Sequence, residues 1–318
     1  RLGGKATFAM HGPATGQTRT DYEGEAALTL GGSRIDARGA MRDTIALDAN
    51  LAPLNLADLL PDAAGVLRGT LQARGARDAP EVEADLTGNG LRWGDYAANT
   101  LRAQGRLPWA GANGTLVLDG TGVQAGLALD SVHVEARGAV EDLRFEGQAR
   151  GETLGTLALQ GTALKRGANW SGELSSLQLT PAQGASWRLQ SPARYAQAGT
   201  RWTLSRSCFA SSSGGSLCAD ADWPQRGIGV EGSQLPLALA TPYLPVRDDG
   251  RPWALRGEID LTGRLRPAGK AWQGQLAVRS AAGGLRNSER ARRDIVSYRD
   301  LQLDADFTPA RIEATLAT

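Results

Sequence analysis

The sequence predicts an all-β chain: an elongated, mostly antiparallel sheet that curls lengthwise into a trough with an apolar interior, with only short helices. Three observations predict this fold. Apolar and polar residues alternate with a period of two through most of the chain, which gives each strand one apolar and one polar face. Turn-forming Gly, Asn and Asp residues separate these segments at intervals of roughly 8–12 residues. A long motif also occurs twice, as in architectures that grow by adding units.

The strands are predicted where charged residues take one face and apolar or small residues take the other. In residues 81–86, for example, three acidic residues alternate with Val82, Ala84 and Leu86. Such segments are typical of half-buried strands with one face in water. The inward positions predicted to line the trough are Ile35, Ala37, Leu47, Leu71, Val82, Leu86, Val132, Val134, Leu143, Phe145, Ile259, Leu261, Leu276, Val278, Leu301, Leu303 and Phe307.

The repeated motif predicts one continuous segment, residues 1–318, with internal repeat units that start near residues 51 and 233. Each copy has a short Leu-rich segment that ends in Leu-Pro, then Leu-Arg-Gly, then an alternating strand, then Gly-Leu-Arg. These three steps lie at 60–61, 67–69 and 90–92 in the first copy and at 244–245, 255–257 and 284–286 in the second. The step at 88–90, Gly-Asn-Gly, is predicted to be a hairpin turn.

Helical segments are few and short. Residues 54–60, between Pro53 and Pro61, predict about two helical turns, and residues 235–243 are their counterpart in the second copy. Residues 287–295 are polar enough for a short helix or a loop. None of these segments is long enough to cover a sheet, so its apolar face needs another partner.

Three arrangements would cover the apolar face of the sheet. The sheet can pack against a second sheet as a sandwich, close into a barrel, or curl into a trough that holds an apolar ligand. Leu, Ala, Gly and Val dominate the inward positions, and large core-filling residues are rare. This lining favours the open trough over a densely packed sandwich core.

The two cysteines predict a disulfide bond. Cys208 and Cys218 bracket the segment FASSSGGSL, and strand-like sequence lies on either side. A turn centred on residues 211–215 would place the two sulfur atoms opposite each other across a hairpin. The alternative is two free thiols in a reducing cytosol, whereas a disulfide indicates an oxidising compartment such as a periplasm.

Composition and motifs argue against several classes of function. The formal net charge is only +1, which argues against a nucleic-acid surface. His11 and His133 are the only histidines and are predicted to lie at the surface. Without zinc-type spacing or a phosphate-binding loop, we expect no enzyme activity, no cofactor and no metal. Because the chain begins at Arg1 and ends within a strand-like pattern, we expect it to be an internal piece of a longer protein.

The ordered Leu-Pro, Leu-Arg-Gly and Gly-Leu-Arg steps, together with the paired cysteines, resemble the TamB proteins of Gram-negative bacteria, part of the wider AsmA-like group. The resemblance covers nearly the whole chain and corresponds to the middle or later part of such a protein. It implies a taco-like β-trough that stands in the periplasm. It also implies an inner-membrane anchor at an N-terminus that this chain lacks, and the outer-membrane barrel insertase TamA as partner.

The resemblance implies two activities: carrying phospholipid from the inner to the outer membrane in outer-membrane biogenesis, and assembling outer-membrane β-barrel proteins and autotransporters with TamA. The residues favour the first activity, because a continuous apolar surface can cover phospholipid acyl chains. Each methylene group removed from water contributes ~0.8 kcal/mol of favourable free energy. Pairing of a client strand with a sheet edge would serve the second. A purely structural β-solenoid rod is a further alternative.

Overall fold

The structure is a computed structural model that describes residues 2–11, 20–77, 79–111, 113–245, 247, 249–269 and 271–318. The chain divides into two compact units, Arg1–Lys165 (unit one) and Arg166–Thr318 (unit two). Strands make up 75% of the residues and helices 3%, so the predicted all-β class is confirmed. The side chain of His11 lies outside the described part.

Unit one is an antiparallel meander, in which each strand pairs with the next strand along the chain. Its strands are β1 (Leu2–His11), β2 (Asp21–Leu30), β3 (Ser33–Met41), β4 (Thr44–Asn55), β5 (Ala63–Ala76), β6 (Ala79–Trp93), β7 (Tyr96–Leu107), β8 (Gly114–Gln124), β9 (Ala128–Ala139), β10 (Asp142–Gly151) and β11 (Gly155–Arg166). A 3-10 segment (Leu56–Asp58) connects β4 to β5.

Unit two is also an antiparallel meander. Its strands are β12 (Asn169–Thr180), β13 (Trp187–Leu189), β14 (Ala193–Ala198), β15 (Arg201–Ser211), β16 (Ser216–Trp223), β17 (Gly227–Pro236), β18 (Ala254–Ala268), β19 (Ala271–Arg286), β20 (Val296–Thr308) and β21 (Arg311–Ala317). The short strands β13 and β14 both lie between β12 and β15. A 3-10 segment (Leu237–Tyr243) connects β17 to β18.

The first helical segment is shorter than the sequence predicts. Leu54 continues β4 and lies opposite Leu67 of β5, which leaves only Leu56–Asp58 in 3-10 geometry. The carboxylate of Asp58 holds this segment against the β2–β3 turn by accepting hydrogen bonds from Gly32 N at 3.0 Å and Ser33 Oγ at 2.7 Å. The second 3-10 segment has nearly the predicted bounds. Residues 287–295 form turns and bends, as a loop.

Few side chains are buried in either unit. The buried apolar residues are mainly Ala and Leu, and the largest among them are Leu54, Leu189 and Leu235. The accessible surface is 20068 Å², whereas a compact monomer of 33.4 kDa exposes about 12,600 Å² and two compact domains of half that mass about 15,200 Å². A filled sandwich core therefore does not account for these units.

A disulfide joins Cys208 of β15 to Cys218 of β16, directly opposite each other across the hairpin. The turn at 212–215 sets this register, with Ser211 N donating a hydrogen bond to Gly215 O at 3.2 Å. Strand alternation places both cysteines on the face opposite Phe209 and Leu217. The bond therefore links the hairpin without contributing sulfur to its apolar face.

Removing this disulfide should destabilise unit two. Replacing both Cys208 and Cys218 by Ser is expected to lower the free energy of unfolding by about 3 kcal/mol, because a closed loop of this length restricts the unfolded chain by roughly that amount. Urea unfolding followed by far-UV circular dichroism measures the change. Reductant should destabilise the parent chain and leave the double variant unaffected; equal midpoints for parent and variant under oxidising conditions would contradict the expectation.

Candidate functional site

One face of the unit-one sheet is apolar across every strand. Residues opposite each other in an antiparallel pair share a face, so the register can be followed from strand to strand. A first row contains Ala6, Ala26, Ala37, Ala49, Leu71, Ala84, Gly105, Leu116, Ala136, Phe145 and Gly161. A second, two residues along each strand, contains Gly4, Leu28, Ile35, Leu51, Gly69, Leu86, Ala103, Leu118, Val134, Gly147 and Leu159. Neither row contains a polar side chain. We call this the lining face of unit one.

The ten lining positions predicted for unit one all fall on this face. Four outside the two rows lie directly beside them: Leu47 and Val82 both lie opposite Ala73, Val132 lies opposite Gly120, and Leu143 lies opposite Gly138. The sequence alternation therefore placed these side chains on one common surface.

Unit two has its own lining face. One row contains Phe209, Leu217, Gly232, Leu261, Val278, Leu303 and Leu316. The adjacent row contains Ala219, Val230, Gly263, Leu276, Ala305 and Ala314. The other predicted positions share this face: Ile259 lies opposite Leu235, Phe307 opposite Gly274, and Leu301 opposite Ser280.

The predicted lining residues are accessible to a ligand. None of the seventeen is buried; sixteen are half-buried, and Val82 is 36% exposed. Side chains in a filled core would instead be almost completely covered. Within each unit, the apolar face retains enough exposed surface to contact an apolar molecule.

Large lining side chains lie over glycines of the neighbouring strand. A methyl group added to Gly39 would lie 3.0 Å from Leu47 Cδ1, and one added to Gly274 would overlap the ring of Phe307. The bulky residues therefore extend sideways across the sheet. The glycines thus accommodate the bulky side chains of the neighbouring strand.

Two further residues lie on the lining face although strict alternation from the preceding strand residues would place them on the opposite face. A methyl group on Gly88 would lie 2.6 Å from Leu91 Cδ1, and one on Gly120 would lie 2.9 Å from Val123 Cγ2, so both side chains cover lining glycines. In each case the preceding residue, Gly90 or Gly122, has a positive φ of 57° or 56°. The sequence signal is Gly-x-Gly followed by an aliphatic residue, at 88–91 and 120–123. The predicted hairpin turn at 88–90 is wrong: these residues lie inside β6, at a register shift typical of a bulge.

The concavities of unit one differ in chemistry between its two faces. A cavity of about 340 Å³ on the lining face is lined by residues that include Phe8, Tyr22, Gly24, Gly39, Met41, Ile45 and Leu47. A larger one of about 490 Å³ lies on the opposite face, among charged residues such as Lys5, Glu25 and Asp48. A twisted sheet is concave along one diagonal of either face, so volume alone does not identify a site. Of these two cavities, the one on the lining face has the apolar walls that an apolar ligand requires.

A family model described as TamB, N-terminal domain, matches residues 5–318. The chain belongs to the TamB family. The match covers nearly all of both units, and the resemblance indicated by the sequence motifs is confirmed. The motifs predict the middle or later part of a TamB protein, whereas the matching family model describes the N-terminal domain. No solved structure matches the chain. In the described part of the chain, no helix has the length and apolar character needed to span a membrane.

The polar faces of this TamB chain carry cross-strand ion pairs. In unit one, Asp48 accepts hydrogen bonds from Arg74 at 2.6 Å and from Arg38 at 3.4 Å. In unit two, the nearly buried carboxylate of Asp222 accepts hydrogen bonds from Arg201 at 2.8 Å and Arg226 at 2.9 Å, which lower its pKa. In the described residues, no group of three His, Cys, Asp or Glu side chains could hold a metal ion.

An ion-pair cluster fixes the loop at 287–295. The carboxylate of Asp294 accepts hydrogen bonds from Arg256 of β18 at 2.5 Å and from Arg286 of β19 at 2.6 Å. These two guanidinium groups, Arg256 foremost, lower the pKa of Asp294 from 3.8 to about 2. The loop is thereby tied to the strands at the end of the lining face.

The depressed pKa of Asp294 predicts an acid-sensitive contribution to stability. Because the folded-state pKa of about 2 lies below the ordinary value of 3.8, this carboxylate stabilises unit two above pH ~4 and loses its effect as pH falls toward 2. We expect Asp294→Asn to be less stable than the parent at neutral pH, with the difference shrinking below pH ~4. Thermal unfolding of both proteins across this range measures it. A difference that stays constant down to pH ~2 would contradict the assignment.

Proposed function

We propose that the lining faces shelter the acyl chains of phospholipid as it passes between the inner and outer membranes, so that this TamB segment serves outer-membrane biogenesis in the periplasm of a Gram-negative bacterium. The single observation that carries the proposal is the pair of apolar rows that crosses all eleven strands of unit one without a polar side chain. Membership of the TamB family supports the same role.

The energetics favour an acyl chain as the ligand. Each methylene removed from water contributes ~0.8 kcal/mol, so a lipid tail needs continuous apolar cover to leave a membrane at a useful rate. The two rows lie about 7 Å apart, two residues along the strand, and are chemically similar from strand to strand. Successive positions therefore offer nearly equal binding energy, and a tail can move along them without a deep trap.

The same proposal includes the partners and location that the family resemblance implies. The parent protein would be anchored in the inner membrane and would meet the barrel insertase TamA at the outer membrane. The disulfide between Cys208 and Cys218 supports an oxidising compartment such as the periplasm. We propose no cofactor and no catalytic residue, because a passive apolar surface needs neither.

Photocrosslinking with adjacent residues as controls tests the proposal. A photoreactive amino acid at Leu71 or Leu303 points from a lining face, whereas one at Thr70 or Gln302 points from the opposite face. Phospholipid adducts are expected at the two lining positions and not at the two controls, and native mass spectrometry should detect co-purified phospholipid.

Other adducts would support other functions. Adducts to unfolded outer-membrane polypeptides at a sheet edge, without lipid at Leu71 or Leu303, would favour assembly of β-barrel proteins with TamA. Absence of both kinds of adduct, with no co-purified lipid, would favour the structural rod. Each of these results contradicts the proposed conduit.

A further inference from the structure

The strand ends of unit one form two edges with different chemistry. One edge contains the connections β2–β3, β4–β5, β6–β7, β8–β9 and β10–β11, and the middle three expose apolar side chains. Its exposed large apolar side chains, between 45% and 62% accessible, are Leu59, Leu60, Trp93, Tyr96 and Leu127. We call this the apolar edge. Because each connection lies two strands from the next, these side chains recur about every 10 Å along the edge.

The apolar edge is continuous with the lining face. Leu91 covers the lining glycine Gly88, as described above. Trp93 lies two residues further along β6 and therefore points to the same side as Leu91. Tyr96 lies directly opposite Trp93. The lining thus extends outward from Gly88 through Leu91 to an aromatic pair at the boundary with water.

The opposite edge of unit one exposes Phe8 and Met10 of β1, at 72% and 64%, but from β3 onward its turns are linked by hydrogen bonds. Between β3 and β11, Arg77 N donates to Asp43 O at 3.2 Å, and Glu141 N donates to Trp109 O at 2.9 Å. The Arg42 guanidinium also pairs with Glu23 at 2.8 Å. Charged residues and linked turns are a poor path for an apolar chain, because moving apolar groups past them offers no compensating burial.

In unit two, the connections β17–β18 and β19–β20 expose apolar side chains. The connection after β17 exposes Tyr243, and the one after β19 exposes Ile295 and Val296, at 71%, 51% and 60%. Val296 lies opposite Leu285, which lies opposite Leu255 at the end of β18. Unit two also exposes Trp202 at its other edge, so the contrast between edges belongs to strands β3–β11 of unit one.

We propose that the apolar edge of unit one is a lateral portal, at which a phospholipid tail enters and leaves the lining face while the head group stays in water beyond Trp93 and Tyr96. The inference rests on the proposed function and adds the route of entry. Trp and Tyr combine an apolar ring with a polar group, which suits the boundary between tail and head group. Sideways entry also keeps the charged head group off the lining, where it would lose its hydration.

A photoreactive amino acid at four positions of the whole protein tests the portal. Trp93 and Leu127 lie on the apolar edge, Leu71 lies on the lining face, and Ala110 lies on the opposite edge. With vesicles of phosphatidylethanolamine and phosphatidylglycerol, lipid adducts are expected at the first three and not at Ala110. Adducts at Leu71 without adducts at Trp93 and Leu127, or equal adducts at Ala110, would overturn the portal and leave the conduit intact. Absence of lipid adducts at Leu71 itself would contradict the proposed transport of phospholipid along the lining face.

A kinetic measurement separates the portal from simple attachment to a membrane. The double variant Trp93→Gln, Tyr96→Gln removes two exposed rings and should slow loading of lipid from these vesicles about tenfold, since two partly exposed aromatic contacts contribute roughly that factor. The matched control is Trp202→Gln, which removes a Trp that is 56% exposed in unit two and should leave the loading rate unchanged. If the double variant loses vesicle binding in flotation but loads at the parent rate, the edge is a membrane-docking surface and the portal is refuted.

Discussion

Val134→Arg is expected to weaken lipid loading of unit one by about 100-fold, because placing an unpaired charge on an apolar surface that must contact a lipid tail costs several kcal/mol. Val134 lies in the second row, between Leu118 and Gly147 on the neighbouring strands. No residue of that row offers a carboxylate to the new guanidinium. Phospholipid bound per protein, measured by native mass spectrometry, is the readout.

The adjacent residue provides the control. His133 points to the opposite face, where it forms a hydrogen bond with Asp119 at 2.7 Å, so His133→Arg introduces the same charge beside a carboxylate. In unit two, the lining variant Leu303→Asp and its control Gln302→Asp repeat the comparison with a negative charge. Circular dichroism should show intact sheet in all four variants. Equal lipid content in the lining variants and their controls would refute the lining assignment.

Gly274→Val should destabilise unit two by about 1–3 kcal/mol, the usual cost of forcing extra volume into a packed site. The added methyl groups would overlap the Phe307 ring, which occupies the space over Gly274. Gly274 is not among the glycines with positive φ, so the cost comes from this overlap rather than from the backbone conformation. The midpoint of urea unfolding measures it.

Removing the Phe307 ring should largely abolish the destabilisation caused by Gly274→Val. In a Phe307→Ala background the same Gly274→Val change is expected to cost little, and the difference between the two backgrounds gives the coupling between the residues. Gly263→Ala is the matched control in the same unit, because a methyl group there meets its nearest atoms at 3.8 Å. Equal destabilisation by Gly274→Val in both backgrounds would show that Phe307 does not set the cost.

The face on which each of the predicted lining residues lies could be predicted from the sequence because alternation in a strand fixes the facing of every residue; that this face contacts lipid stays a prediction. Ile35, Leu71 and Val134 were assigned to one surface from their local patterns alone. The meander connects them: each strand pairs with the next strand along the chain, so the local assignment in one strand agrees with that in its neighbour.

The sequence pattern fails where the backbone departs from regular strand geometry. Leu91 and Val123 reach the lining only because Gly90 and Gly122 adopt positive φ, which reverses the expected facing. At the end of β4, Leu54 pairs with Leu67 instead of starting a helix, since strand pairing there satisfies its backbone. The contrast between the two edges of strands β3–β11 also depends on which connections lie side by side, and this follows from topology rather than from any local motif.

The meander has a consequence for how the chain acquires its structure. Since each strand finds its partner in the next segment of the chain, contacts between strands close short loops and carry a low entropic cost. A nascent polypeptide can add hairpins one after another, without waiting for distant segments. Insertion or deletion of a whole hairpin would lengthen or shorten such a protein while leaving the pairing rules elsewhere unchanged.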